Sequence, residues 1–135
     1  MKGIIVDTSV WIDFFNGVTS GQVERLVYYI ENNYPVYLCP LILMEILQGF
    51  KDDTDYLSVK KILLEYPMLQ EDQISVAIGA ADLYRKLRKK GITIRKSNDC
   101  IIAYLAMRFK LPVLHTDRDF SIISKYTKMK VVEIK

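Results

Sequence analysis

Short apolar runs alternate along the chain with longer segments in which apolar residues recur every three or four positions. Four of the short runs are rich in Val, Ile and Leu and predict buried strands, since unbroken apolarity over a few residues is typical of parallel strands covered on both faces. The predicted strands are residues 3–7, 36–39, 113–116 and 131–134.

The longer segments predict helices. In residues 73–90 the apolar side chains from Val76 to Leu87 fall on one helical face, and Gly91 supplies the expected C-terminal stop. The predicted helices are residues 10–15, 22–31, 40–48, 56–66, 73–90, 98–109 and 120–125. The expected N-caps are Thr8 or Ser9 for the first helix and Ser97 or Asn98 for the sixth.

Strands that alternate with helices predict an α/β fold with a mostly parallel central sheet flanked by helices on both faces. The chain has 135 residues, and we expect a single domain over residues 1–135. In sheets of this kind, ligand sites form at the carboxyl ends of the strands. The residues that follow the predicted strands are therefore the first candidates for chemistry.

Composition restricts the class of protein. Half of the residues (50%) are hydrophobic, but the most apolar runs, 38–47 and 101–106, are too short or too interrupted to span a bilayer. Met1 and Lys2 lead directly into a predicted strand and not into the apolar core of a signal peptide. We therefore expect a cytoplasmic protein without membrane association. Cys39 and Cys100 lie in apolar surroundings, and we expect reduced thiols in the core.

Four acidic residues stand at unusual places. Asp7 and Asp117 each follow a predicted strand, whereas Glu45 and Asp99 interrupt strongly apolar predicted helices. Each has an ordinary explanation when taken alone: an N-cap for the first two, a salt bridge for Glu45, and an interaction with the helix dipole for Asp99. A shared divalent cation explains all four together, provided that the fold brings them to one place.

Converging carboxylates need such a cation, because two like charges about 4 Å apart repel by roughly 4 kcal/mol at an effective dielectric of 20. Oxygen ligands without Cys or His favour Mg²⁺ or Mn²⁺ over zinc. Thr8, Ser9 and Thr116 are neighbouring hydroxyls that either support the carboxylates or cap helices. His115 lies in a run that reads as core, with a ligand or general-base role as the alternative.

Basic residues crowd the segment 85–96, although the net charge of the chain is only +3. We predict a surface for the phosphate backbone of RNA formed by Lys89, Lys90, Arg95 and Lys96. A solvated helix end and loop is the alternative. A carboxylate-bound metal beside a basic surface indicates hydrolysis of a phosphodiester.

Four segments of the chain resemble the motifs of PIN-domain ribonucleases, in order and at the spacing of single-domain VapC toxins of type II toxin–antitoxin systems. They are Asp-Thr-Ser-Val-Trp-Ile-Asp at 7–13, Met-Glu-Ile-Leu-Gln-Gly at 44–49, Asn-Asp-Cys-Ile-Ile-Ala at 98–103 and Leu-His-Thr-Asp-Arg-Asp-Phe at 114–120. Each motif is weak alone, but the four together cover nearly the whole chain.

The resemblance implies an endoribonuclease that depends on Mg²⁺ or Mn²⁺. It implies an acidic centre of Asp7, Glu45, Asp99 and Asp117, with Asp7 and Asp99 as the firmest metal ligands. Asp119 is a fifth acid that either competes with Asp117 or caps the helix at residue 120. The resemblance also implies a cognate antitoxin and a homodimer.

Other interpretations remain open at this point. Trp11 and Phe15 are either core residues or part of a partner surface. A PIN-like module that binds RNA or protein without cleavage is one functional alternative. A haloacid-dehalogenase-type phosphatase is another, but Ser9 stands where that family places its second aspartate.

Overall fold

The computed structural model describes residues 3–134. Three strands are present: β1 (Ile4–Val6), β2 (Val36–Tyr37) and β3 (Val113–Leu114). The helices are α1 (Thr8–Phe15), α2 (Gly21–Glu31), α3 (Pro40–Leu47), α4 (Asp53–Leu63), α5 (Gln73–Lys89), α6 (Asn98–Phe109) and α7 (Arg118–Tyr126). The prediction about a signal peptide used Met1 and Lys2, which lie outside the described residues.

The strands form a parallel sheet in the order β2-β1-β3. Ile4 is in register with Val36, and Ile5 with Val113. Every residue of β1 is fully buried. Because successive residues of a strand point to opposite faces, both faces of the sheet must be covered. The α/β prediction is confirmed, with strands shorter than predicted.

The predicted fourth strand at 131–134 is wrong. Val131 makes a single parallel bridge to Val113, where the Val132 N–H donates to the Val113 carbonyl at 2.9 Å. Beyond this contact Ile134 lies close to Gly21 at the start of α2. The segment therefore adds one bridge to the sheet edge and does not extend into a strand.

The predicted helix N-caps are also corrected. Asp7 caps α1 by accepting the Ser9 N–H, so Thr8 and Ser9 are helical residues and not caps. Ser97 occupies the N-cap position of α6, but neither it nor Asn98 supplies a side-chain cap. An aspartate accepts N–H groups more strongly than a hydroxyl because it is charged, which explains why the helix begins earlier than predicted.

The core includes both cysteines, which are free and buried as predicted. Trp11 is fully buried against Tyr66 and Phe15, so the partner-surface interpretation is wrong for Trp11. Phe15 is partly buried and packs on the same core. No helix within residues 3–134 is both long enough and apolar enough to cross a membrane.

Candidate metal centre

The sheet places two of the predicted acids, Asp7 and Asp117, at the same edge. Asp7 directly follows β1, and its backbone N–H donates to the Leu114 carbonyl at the end of β3 at 2.9 Å. Asp117 lies three residues beyond β3 and is the N-cap of α7. Because β1 and β3 are parallel neighbours, their carboxyl ends share one edge of the sheet. Asp7 and Asp117 therefore lie at the same edge of the sheet although they are far apart in sequence.

Asp99 joins this edge from the first turn of α6. Its side chain is buried (5% exposed), and its Oδ2 has no hydrogen-bond partner among the described residues. Asp99, Asp117 and Asp119 each offer one oxygen, and these oxygens all lie within 4.8 Å of one another. Three carboxylates at such separations repel strongly unless a proton or a cation lies between them.

The pKa of Asp99 rises to about 7. Burial is the largest cause, and the charge of Asp7 is the next. The pKa of Asp7 is also raised, chiefly by burial, although the bonds it accepts from Ser9 oppose the rise. Near pH 7, Asp99 is therefore only partly ionised.

Asp117 is the acid whose charge is best compensated. Burial alone would raise its pKa, but the Asp119 N–H bond, Lys96 and Arg95 together bring the pKa below its ordinary value. Arg95 lies 3.1 Å from the Asp117 carboxylate, and Lys96 lies 3.5 Å away. Sequence reasoning assigned these two cations to RNA and missed this contact. Their position just before the motif that contains Asp99 was the available signal.

Asp119 binds both the backbone and the side chain of Arg95. Its Oδ2 accepts the Arg95 backbone N–H at 3.3 Å and the Arg95 Nε–H at 3.2 Å. The side chain of Asp119 is 4% exposed, against 14% for Asp117. The expectation that Asp119 caps the helix at residue 120 is wrong, because Asp117 is the cap of α7 and accepts the Asp119 N–H.

Hydroxyl groups hold the other carboxylates in place. Thr8 Oγ1 donates to Glu45 at 2.7 Å, and Ser9 Oγ donates to Asp7 at 2.7 Å. Thr116 Oγ1 in turn donates to Ser9 Oγ at 2.9 Å. Glu45 is only partly buried, and it accepts a hydrogen bond from Thr8, whereas the salt bridge considered for it above is not formed among the described residues. The hydroxyls adjoin the carboxylates, as the sequence predicted.

His115 lies immediately after β3. Its ring packs on Phe120 at 5.3 Å between centroids, and its Nδ1 is buried without a partner in the described structure. Burial lowers the pKa of His115 below its ordinary value despite the nearby Asp7. The packing of the His115 ring on Phe120 and the lowered pKa of His115 support the interpretation of this residue as part of the core.

The donor set fits a hard divalent cation. The three clustered side chains, Asp99, Asp117 and Asp119, all offer carboxylate oxygen, and Asp99 Oδ2 is a buried acceptor without a partner among the described residues. Burying an unpaired charge is unfavourable unless it is protonated or binds a cation. Oxygen-only sites select Mg²⁺ or Mn²⁺ over softer metals. Asp99, Asp117 and Asp119 are the residues whose oxygens lie close enough together to hold such an ion, and Asp7 lies near enough for its charge to raise the pKa of Asp99.

The predicted basic surface is divided in two. Lys89 and Lys90 are exposed at the end of α5, whereas Arg95 and Lys96 contact the carboxylates. The carboxylate edge thus carries its own cations, and the end of α5 belongs to another part of the surface.

A small parallel sheet with an acidic centre at its carboxyl edge and basic side chains at the rim defines a class of metal-dependent nuclease-like domains. Within that class the assignment is direct. The chain belongs to the PIN-domain family, whose model, described as "PIN domain", matches residues 4–126. The resemblance seen in the four motifs is confirmed, and the haloacid-dehalogenase alternative is set aside.

Two relatives illustrate the subgroup. The chain is 33% identical to "VapC ribonuclease Mb1587" of Mycobacterium bovis, over 98% of this chain and 99% of that protein. It is equally similar, at 33% identity over the same shares, to "Ribonuclease VapC11" of Mycobacterium tuberculosis. Because the alignments run nearly end to end, the relationship extends over the whole fold and not over a single motif.

Solved structures share the fold. The crystal structure of VapBC2 from Rickettsia felis, bound to a DNA fragment from its promoter, matches with a TM-score of 0.74 at 16% identity, over 98% of this chain and 99% of that one. FitAcB from Neisseria gonorrhoeae matches with a TM-score of 0.70 at 18% identity, over 96% of each chain. A toxin–antitoxin complex from Klebsiella pneumoniae matches with a TM-score of 0.65 at 18% identity, over 87% of this chain and 90% of that one.

Proposed function

We propose that this protein is an endoribonuclease that depends on Mg²⁺ or Mn²⁺ and acts as the toxin of a VapBC-type toxin–antitoxin pair. The observation that carries the proposal is the cluster of Asp99, Asp117 and Asp119, with Asp7 close enough for its charge to raise the pKa of Asp99 and the buried Asp99 Oδ2 left for a cation. The end-to-end identity to proteins named as ribonucleases supports the same activity.

Asp7 and Asp99 are the proposed principal metal ligands, since both are buried and Asp99 has a free oxygen. Asp117 is the proposed fourth acid in preference to Asp119, because it follows β3 more directly and its side chain is more accessible, at 14% exposed against 4%. Glu45 completes the acidic centre beside Asp7. When bound, a divalent ion lowers the pKa of a coordinated water and polarises a phosphoryl oxygen.

The surrounding residues hold this arrangement for RNA. Ser9 and Thr8 fix the orientation of Asp7 and Glu45 through their hydroxyl bonds. Arg95 and Lys96 are more than half exposed in their side chains, at 58% and 66%, so their charges also face the approaching strand. They offset part of the acidic charge and allow a polyanion to reach the carboxylates.

The remaining parts of the proposal concern partners and place. The structural neighbours are described as toxin–antitoxin assemblies, which supports a cognate antitoxin for this chain. We also propose a homodimer, as the resemblance to VapC toxins implies, and a cytoplasmic location. The 135 residues act as one nuclease domain in this proposal.

Single amide substitutions test the site. Asp99→Asn and Asp7→Asn each remove one anionic ligand with little change in shape, so we expect cleavage of labelled RNA in Mg²⁺ or Mn²⁺ to fall by at least about a hundredfold, or about 3 kcal/mol in activation free energy. Asp82→Asn makes the same chemical change at an exposed position on α5 and serves as the matched control.

Cleavage by Asp99→Asn at the parent rate would remove that residue from the centre. Parent protein that binds RNA but cuts none with either ion would instead favour the non-catalytic binding module. Circular dichroism of each variant separates loss of chemistry from loss of fold.

A further inference from the structure

A second basic surface lies away from the carboxylates, in a large open cavity. This cavity, which we call the lysine groove, has a volume of about 1140 Å³ and is open to solvent along one side. Six lysines line it: Lys86, Lys90, Lys110, Lys125, Lys128 and Lys130. They come from the end of α5, the loop before β3, and the last turn of α7 with the segment that follows.

The charge in the groove is of one sign. The lining includes no aspartate or glutamate, although the chain has 16 acidic residues against 19 basic ones. Within residues 3–134, none of the six lysines forms an ion pair. Six uncompensated cations around one concavity produce a strong positive potential, and a polyanion is the ligand class that such a potential attracts.

The floor of the groove is apolar and carries one exposed aromatic ring. Leu83, Met107 and Met129 contribute to the floor, and Tyr126 lines the groove with 47% of its surface exposed. Single-stranded nucleic acids bind in positively charged grooves where bases stack on aromatic and apolar side chains. The lysines at the rim would meet phosphates while the floor receives base faces.

The groove lies within reach of the proposed active site but at the opposite end of β3. Pro112 lines the groove just before β3, and Asp117 lies just after it. Five residues separate these positions, so their Cα atoms are at most about 18 Å apart. That distance corresponds to about five stacked nucleotides at ~3.4 Å each. One RNA molecule can therefore contact both places.

We propose that the lysine groove is an RNA-binding exosite, which grips the single-stranded flank of a substrate whose scissile phosphate lies at the carboxylates. This inference rests on the proposed function for the presence of RNA at the neighbouring edge. An acidic polypeptide is the competing occupant. RNA is the better match for two reasons. The lysine side chains at the rim are separate point charges that suit phosphate groups, and the lining carries no acidic side chain to accept hydrogen bonds from the N–H groups of a peptide.

The test measures RNA binding without cleavage. The full chain is titrated in EDTA against a fluorescent single-stranded RNA of about 20 nucleotides, longer than the ~4–16 that one single-strand-binding domain covers. The groove variants are K86Q/K90Q/K110Q and K125Q/K128Q/K130Q. The matched control, K51Q/K60Q/K61Q, makes the same change of charge at exposed positions in and beside α4, outside the groove. Thermal unfolding verifies that each variant is folded.

We expect each groove variant to bind RNA at least about tenfold more weakly, with the salt slope shallower by about 2, since each lost phosphate contact contributes ~0.7. The control should remain within about twofold of the parent. An unchanged affinity and slope in both groove variants overturns the exosite. Groove-dependent binding of polyglutamate in the absence of groove-dependent RNA binding also overturns it and assigns the groove to an acidic protein.

The exosite and the nuclease can fail separately. RNA cleavage by the parent in Mg²⁺ or Mn²⁺, together with no effect of the groove lysines, refutes the exosite and leaves the proposed function intact. Groove-dependent RNA binding by a protein that cleaves no RNA confirms the groove as an RNA site and refutes the nuclease.

Discussion

Single side chains at the carboxylate edge work against the stability of the cation-free fold. Asp99 is ionised in the unfolded chain above pH 4, but its pKa is about 7 in the folded protein. Between these values the folded state binds more protons than the unfolded state. The free energy of unfolding therefore falls as the pH rises through this window.

Asp99→Asn should therefore stabilise the cation-free protein at pH 8. A shift of about three pKa units corresponds to at most about 4 kcal/mol, and we expect a gain of about 1–3 kcal/mol because the new amide donors are imperfectly paired. Urea unfolding in EDTA at pH 5 and pH 8 measures the gain, which should be larger at pH 8. Asp82→Asn should show neither the gain nor its pH dependence, and an Asp99→Asn variant less stable than the parent at pH 8 would contradict the pKa.

Ser9 provides a second prediction about a single side chain. Its backbone and hydroxyl bonds to Asp7 Oδ2 oppose the rise that burial causes in the pKa of Asp7. Ser9→Ala removes the hydroxyl bond, so the pKa of Asp7 should rise further and the acid limb of the pH–rate profile for RNA cleavage should move to higher pH. Ser9→Thr keeps the hydroxyl and should restore the parent profile. An acid limb that stays in place in Ser9→Ala would show that Asp7 does not govern it.

Secondary-structure elements place these side chains, and the packing of α5 on α6 is part of that placement. The two helices pack against each other, and a Cβ built at Gly79 would overlap the Tyr104 ring of α6. Gly79 thus permits a close approach that positions α6, whose first turn carries Asp99.

Gly79→Ala should destabilise the protein by about 1 kcal/mol or more, although alanine is the better helix former by about 1 kcal/mol. The overlap with Tyr104 is the reason. In a Tyr104→Ala background the same substitution should become stabilising, because only the helix propensity remains. Urea unfolding of the double-mutant cycle measures the coupling. Additive effects of the two substitutions would show that the ring yields without strain.

At the scale of the whole molecule, acidic and basic side chains are concentrated in different places. Acidic side chains converge at one end of β3, and six lysines surround the other end. This separation explains how a chain with a net charge of only +3 presents both a cation site and a strongly positive surface.

A cation at the carboxylate edge should stabilise the whole fold, since a ligand that binds only the folded state shifts unfolding. We expect millimolar Mn²⁺ to raise Tm, and to raise it more at pH 8 than at pH 6, because Asp99 must lose its proton to bind the ion. Differential scanning calorimetry compares the Tm in Mn²⁺ with the Tm in EDTA at each pH. Asp99→Asn should remove most of the rise in Tm that Mn²⁺ causes. A Tm of the parent protein that is unchanged by Mn²⁺ at both pH values would argue against a metal centre.

Local patterns in the chain were sufficient for the α/β class, for all seven helices and for three of the four predicted strands. Periodicity and stop signals are local properties of the sequence. The one strand prediction that was wrong, 131–134, concerns a segment whose conformation depends on a distant neighbour, since Val131 makes a single bridge to Val113 and the pairing does not continue. The acids at 7, 45, 99 and 117 were also visible, because a carboxylate within an apolar run is conspicuous without any coordinates.

Contacts between distant segments could not be seen in the same way. The pairing of Arg95 with Asp117 and Asp119, the pairing of Thr8 with Glu45, and the assembly of six lysines from three segments join residues far apart in the chain. Such contacts depend on how helices pack on the sheet, and no short-range pattern encodes that packing. The sequence by itself thus indicated which residue types carry the chemistry. Only the tertiary structure determined their partners, because charge interactions depend on distance in space and not on separation in sequence.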